Sequence, residues 1–355
     1  MRTEIKYSEA IREALDYCLG QNENVFIVGE GVPDPKGIFN TTMGLQEKYG
    51  SSRVMDMPLS ENAMTGVCIG SSIVGMRPIL IHQRADFSYL SLDQIINNAS
   101  KWHYMFNGQV RVPLVIRMII GRGWGQGPQH SSSPQALFSH FPGLKVVMPA
   151  RPHDAKGMLI QAVQDDDPVI FFEHRWLHHI KELVPEEGYT ESLGDARVLR
   201  RGDALTLVAF SYMVIEAIKI SDVFKKYGVN IEVIDMRSTL PLDHETVLKS
   251  VNKTGRLVIL DTSWVTCGIS AELSARVCEG AFTKLQKPPE RIALPDIPAP
   301  TTPALANNFY PTPETIGQQL LKYFPQEKEK LYSAINELKS SSPLDVPYLD
   351  FTGPF

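Results

Sequence analysis

The chain has 355 residues, 43% hydrophobic and 21% charged, with 35 basic side chains against 40 acidic ones and a net charge of −5. That length fits two domains of about 150 residues with a short appendage, and it supports a large buried core. No block of Lys or Arg stands out, which argues against nucleic acid or an anionic membrane as the main partner, and no run reaches the ~18 apolar residues of a membrane span. The opening MRTEIKYSEAIREAL carries acidic residues early and lacks an apolar core segment, so it reads as neither signal nor transit peptide. Cys18, Cys68, Cys267 and Cys278 form no Cys-x-x-Cys pair and read as reduced, mostly core thiols of a cytoplasmic protein.

In chain order, the pattern first predicts an amphipathic helix with Ile11, Ala14, Leu15, Cys18 and Leu19 on one face, then a strand over Val25–Glu30. The runs RPILIHQ, VPLVIRMII, LKVVMP and PVIFFEH follow, each strand-like and separated by helix-compatible stretches. Continuous Val/Ile/Leu runs without alternation suit parallel strands covered on both faces. Residues 177–194 break the rhythm and read as a linker. The alternation restarts with LTLVAF, a helix ending near Tyr227-Gly228, IEVIDMR, a short helix after Leu242, RLVILDT and a helix over 269–282, giving a second, smaller α/β domain. Residues 297–313 are rich in Pro, Thr and Asn and are expected to be irregular. A helix is expected at 316–324, and the Lys/Glu helix and Ser/Pro-rich end beyond Pro325 read as a surface arm.

Generic motifs are mostly excluded. Neither Gly121 nor Gly123 opens a true GxGxxG, because Gln126 and Pro128 occupy the third glycine positions; that stretch reads as a mobile loop that closes over something. There is no GxxxxGK[ST], GxSxG or HExxH, and His82, His178 and His179 are too scattered to suggest a metal site. Glu61 heads an apolar, small-residue helix that reads as buried. It suits either the positive end of a helix dipole or, buried without a basic neighbour, an acid–base role.

The string RVMDMPLSENAMTG, followed by ADFSYLSLDQIINNASK, GQVRVPLVIR and PQHSSSPQALFSHFPGLKVVMPARPHDAKGML, closely resembles the beta subunit of the thiamine-diphosphate-dependent 2-oxo acid dehydrogenases of pyruvate and branched-chain type. The likeness begins at YSEAIREAL and continues through DPVIFFE, DALTLVAF, IEVIDMRSTLPLD and KTGRLVILD to about residue 295. It implies an α/β chain of two doubly wound domains: a pyrimidine-binding domain over 1–190 and a transketolase C-terminal-like domain over 191–325, followed by an arm over 326–355. It also implies an alpha chain carrying the diphosphate and Mg2+ site. Consistently, the only Gly-Asp pairs here, Gly194-Asp195-Ala196 and Gly202-Asp203-Ala204, are not GDG, and neither is followed by Asn-Asn at the family's spacing.

By resemblance, Glu61 is the carboxylic acid that hydrogen-bonds the cofactor's pyrimidine ring and so favours the tautomer that deprotonates the thiazolium carbon. Phe87 matches an aromatic position packed on that ring, and Gln83 a polar position near it. His130 matches a histidine of the active-site channel, which orients substrate and donates a proton during acyl transfer to lipoyl groups. A structural K+ site is implied at the backbone oxygens of Leu114, Ala162, Val163 and Asp167, with Asp165 contributing oxygen as well. The implied partners are the alpha subunit, a second beta chain, a lipoyl acyltransferase and a small 2-oxo acid. Departures from the family pattern stand at Arg84, where an apolar or small residue is usual, at residues 174–179, and beyond Asp296. A stand-alone transketolase-like or carboligase enzyme is the alternative reading.

Overall fold

The computed structural model describes residues 4–121 and 126–340. The core of the Gly-rich stretch and the Ser/Pro-rich end beyond residue 340, expected to be a closing loop and a surface arm, lie outside the described residues. A first sheet runs in the order Ser238–Leu240, Lys145–Val147, Val169–His174, Val115–Ile120, Arg77–His82, Val25–Gly29 and Val54–Met55. Every pairing is parallel except that of Ser238–Leu240, which is antiparallel. The strands Val25–Gly29, Val115–Ile120 and Val169–His174 are buried along their whole length, as unbroken apolar runs require. On one face the helix Tyr7–Gln21 packs on Pro152–Gln164, placing Ile11, Ala14, Leu15, Cys18 and Leu19 in the core. On the other face sit the helix Glu61–Ile73 and the helical turns over 85–105.

The second sheet runs Glu290–Leu294, Leu257–Trp264, Leu205–Ala209, Ile231–Asp235 and Arg197–Arg200, the last of these antiparallel. Its helices Met213–Lys226, His244–Thr254 and Ile269–Ala281 cover the two faces. Asp243 caps the second of them, accepting from the Thr246 amide at 3.0 Å.

Several elements differ from the expectation. The boundary near residue 190 does not keep the sheets apart, because Ser238–Leu240 leaves the second half and completes the edge of the first sheet. The linker over 177–194 contains Lys181–Glu182, paired with Ile5–Lys6. A helix forms at Pro303–Phe309, where irregular chain was expected; proline at its first position fits the helix start. The helix Lys328–Leu338, grouped with the arm, instead buries Leu331, Ala334, Ile335 and Leu338 against Met213–Lys226 and Pro313–Leu320. Those four positions form one helical stripe, so this segment is core. Of the cysteines, Cys18 and Cys68 are buried, whereas Cys267 is exposed and Cys278 half-buried. The small-residue helix Glu61–Ile73 is buried on one face only, through Glu61, Thr65, Cys68, Ile69 and Ser72; Val67 and Ile73 face outward.

Candidate active site

Ligands of open α/β sheets bind beyond the carboxyl ends of the strands, and here two such ends meet. The strand Val25–Gly29 leads into a tight loop over 31–44, tied by Thr42, whose hydroxyl donates to the Val32 carbonyl at 2.9 Å and accepts from the Ile38 amide at 3.0 Å. Gly37, at φ +54°, has no room for a side chain: a Cβ there lies 2.2 Å from the Thr42 hydroxyl. Phe39 and Asn40 follow in left-handed backbone at φ 50° and 68°, a costly conformation for non-glycine residues. Next to this loop the strand Arg77–His82 ends in Gln83 and Arg84, and the following turn, Ala85–Ser91, carries Phe87. Gln83 donates its amide to the Glu30 carbonyl at 2.8 Å, joining the two strand ends.

Phe39, Gln83, Arg84, Phe87, Gln126 and His130 line one cavity of about 280 Å³. The Phe87 and His130 rings meet edge to face, with centroids 5.5 Å apart. The segment behind His130 is anchored by Asp86, which accepts from the Ser132 amide at 3.4 Å and from the Ser132 hydroxyl in a short contact. Thus Gln83, Phe87 and His130 come together. Glu61 is buried at the first position of its helix rather than on the cavity wall. Its charge, with burial and Asp56, raises the carboxyl pKa of Glu30, the residue whose carbonyl holds Gln83; burial is the largest cause. One oxygen of Glu30, Oε1, is buried without a hydrogen-bond partner. A buried acid, a stacking aromatic and an amide at one strand end fit a base-like pyrimidine ring.

Beneath the cavity, Arg117 and Glu173 form an ion pair at 2.6 Å with both side chains fully buried. Arg117 also donates to the Thr41 hydroxyl at 3.1 Å, tying this pair to the loop that presents Phe39. His178 Nε2 lies 3.4 Å from Glu173, and burial lowers its pKa to about 4. The divergent segment after this strand also serves the site: Arg175 places its guanidinium 4.4 Å from the Phe39 ring, and Arg84 lies 5.6 Å from the same ring. Sequence reasoning missed Phe39, flagged Arg84 and the segment holding Arg175 only as departures, and read Gln126 only as part of a closing loop. Two consecutive left-handed residues leave no pattern in a single sequence.

The residues expected around K+ gather at one turn, but much of their oxygen is engaged. Arg77 donates to the carbonyls of Val163 and Asp165, both at 2.9 Å. Lys145 contacts both carboxylate oxygens of Asp165 at 2.7 Å and Asp167 at 3.2 Å. The Leu114 carbonyl accepts from the Val169 amide at 2.9 Å, and that of Ala162 from Asp165 at 3.3 Å. Backbone carbonyls keep a second lone pair. The Asp165 carboxylate is paired with Lys145 through both oxygens. Elsewhere, His153, Asp154 and Glu191 lie within reach of one ion, but Arg197 and Arg237 pair with both carboxylates, so this cluster is an ion-pair knot between the halves.

The transketolase pyrimidine-binding domain family matches residues 3–179, and the transketolase C-terminal domain family matches residues 194–316. The chain is 39% identical over 327 residues to the acetoin:2,6-dichlorophenolindophenol oxidoreductase subunit beta of Cupriavidus necator, covering 89% of this chain and 96% of that one. It is 38% identical to the pyruvate dehydrogenase E1 component subunit beta of Rickettsia bellii, covering 84% and 91%. It is also 38% identical to the 2-oxoisovalerate dehydrogenase subunit beta of Bacillus subtilis, covering 88% and 96%. Among solved structures, a split-gene transketolase described as an inactive beta4 tetramer shares the fold, with a TM-score of 0.68 at 20% identity over 98% of this chain and 100% of that one.

Proposed function

Because the chain belongs to the transketolase-type beta subunits of the thiamine-diphosphate-dependent 2-oxo acid dehydrogenases, we propose that it builds the pyrimidine half of an active site that decarboxylates a small 2-oxo acid and passes the acyl group to a lipoyl acceptor. The observation that carries this reading is the convergence of Gln83, Phe87 and His130 on one cavity, with Glu61 buried at the neighbouring helix start. When bound, thiamine diphosphate would supply an acidic carbon that becomes the nucleophile toward the 2-oxo group once its proton is removed. Glu61 would hold a proton toward the pyrimidine ring, Phe87 would pack on that ring and Gln83 would set its orientation. His130, at the cavity mouth, orients the substrate and delivers a proton during acyl transfer.

The diphosphate and its Mg2+ fall to an alpha chain. An open apolar face supports such a partner: Leu59, Val67, Ile73 and Val74, on and around the small-residue helix, are exposed, as are Leu90, Tyr104 and Met105 on the turns packed beside it. A soluble chain rarely leaves so much apolar surface uncovered. The helix brings Gly66 and Gly70, and the turn after it Gly75, to this region, allowing close approach of an alpha chain or a second beta chain in a heterotetramer. The carbonyl turn near Asp165 is a K+ position that would stiffen the strand ends. No helix among the described residues is long and apolar enough to cross a membrane, and we place the enzyme in the cytoplasm.

The test is to co-express this chain with an alpha chain carrying GDG…NN and to measure CO2 release from 2-oxo acids together with acylation of a lipoyl domain. Release and lipoyl acylation are expected from the pair and from neither chain alone. Activity of this chain alone, or carboligation without lipoyl acylation by the pair, contradicts the proposal.

A further inference from the structure

Arg84 is 3% exposed, yet it lines the cavity. Its guanidinium has five donors. One nitrogen donates to the Gly121 carbonyl at 3.3 Å, and another makes a short contact with the side-chain oxygen of Gln126. Both acceptors are neutral, and no carboxylate lies within ion-pair distance of Arg84 among the described residues. The acid next in sequence, Asp86, is hydrogen-bonded by Ser132; its charge favours the Arg84 cation but forms no ion pair with it. Arg175 brings a second buried guanidinium to the same Phe39 ring. Burial first, and the charge of Arg175 second, pull the Arg84 pKa down to about 10. Lys36 adds a further cation at the cavity rim. Burying a charge is costly unless it is paired, and here Arg84 lines the cavity with only neutral hydrogen-bond acceptors.

We propose that Arg84, assisted by Lys36, is a specificity subsite for a second anionic group on the substrate, so that the favoured 2-oxo acid carries a distal carboxylate or phosphate; this rests on the decarboxylating reading above. The carboxylate adjacent to the 2-oxo group is a poor occupant. It loses its charge as CO2 leaves, and a fixed cation against it stabilises the ground state more than the transition state. The anion that Arg84 holds is therefore one that survives the step. A planar guanidinium suits carboxylate and phosphate alike.

The experiment uses the assembled alpha–beta enzyme with thiamine diphosphate and Mg2+. The ratio of kcat/KM for 2-oxoglutarate over 5-methyl-2-oxohexanoate, its isostere without the distal charge, is measured, with 3-phosphohydroxypyruvate as the phosphate arm; the better substrate with a distal anion identifies the source of the charge. That substrate is expected to be preferred, and Arg84→Gln to cut the preference by about tenfold to a hundredfold, as loss of a hydrogen bond to a charged group does. Lys36→Met, at an exposed position, should cut it by a few-fold and keeps the test open if Arg84→Gln fails to fold. Calorimetric binding of glutarate and of inorganic phosphate to the same complex gives a readout without turnover. Preference for the acid without a distal charge that neither variant alters overturns the subsite while leaving decarboxylation standing. Anion binding that depends on Arg84, with no CO2 released from any 2-oxo acid, supports the subsite and refutes the decarboxylating reading.

Discussion

The two sheets end in opposite ways at their carboxyl edges. In the first half, the ends of Val25–Gly29 and Arg77–His82 open onto a cavity, leaving Glu30 Oε1 without a partner and two left-handed residues at its rim. In the second half, the corresponding edge is plugged. The buried Asp261 accepts from the amides of Ser263 at 3.1 Å and Ser270 at 3.2 Å, and from the Gln135 side chain at 2.7 Å; Ser133 donates to the Thr262 hydroxyl at 3.0 Å. Gln135 and Ser133 lie just beyond His130. The second half therefore spends its strand ends on clamping the segment that carries the first half's histidine. One β/α plan gives an open cavity at one set of strand ends and, around Asp261 and Thr262, a clamp on a segment of the other half.

The largest contrast should appear at Glu61. Glu61→Gln keeps a hydrogen-bonding group but not the transferable proton, and turnover of the assembled enzyme is expected to fall on the order of 10²- to 10⁴-fold with unchanged urea midpoint. Retention of more than about a tenth of the activity contradicts that role. Beneath the same site, Arg117→Met leaves Glu173 buried and uncompensated, and equilibrium unfolding should show a loss of about 3–5 kcal/mol. On the plugged side, Asp261→Ala strands three donors; a stability loss of about 1–3 kcal/mol is expected, without the collapse of turnover seen at Glu61.

The smallest expected effect is in pH. His82 is fully buried and burial lowers its pKa to about 4, so the folded protein keeps it neutral while the unfolded chain takes up a proton near pH 6.5. Its neutral state costs nothing above that pH, and stability is lost as pH falls toward 4. Between pH 7 and 5 the loss is about 2 kcal/mol. Urea titrations of His82→Gln against the parent should show the gap narrow by that amount on acidification; parallel curves refute the assignment.

Much of the architecture was legible because short, β-branched, unbroken runs such as VFIVG and VIRMII suit strands buried on both faces. The short or polar elements were not. Ser238–Leu240 is three residues long and is fixed by its partner strand in the other half. Arg197–Arg200 is half-exposed and reads as surface. The helix Lys328–Leu338 hides its stripe of Leu331, Ala334, Ile335 and Leu338 among Lys and Glu. At the site, Gln83, Phe87 and His130 were reachable through the family string. Arg175, over 90 residues beyond Arg84, shares a ring with it only through the fold. The open face of the Glu61–Ile73 helix was read as buried, because apolar composition does not say whether the covering surface belongs to the same chain.

The central claim is that this chain holds half of a cofactor site. Calorimetry of thiamine diphosphate with Mg2+ against this chain alone, and against its complex with the alpha chain, tests it most directly. The account predicts tight binding by the complex, weakened by Phe87→Ala, and none in the micromolar range by the chain alone. Micromolar, Mg2+-dependent binding by the isolated chain contradicts it.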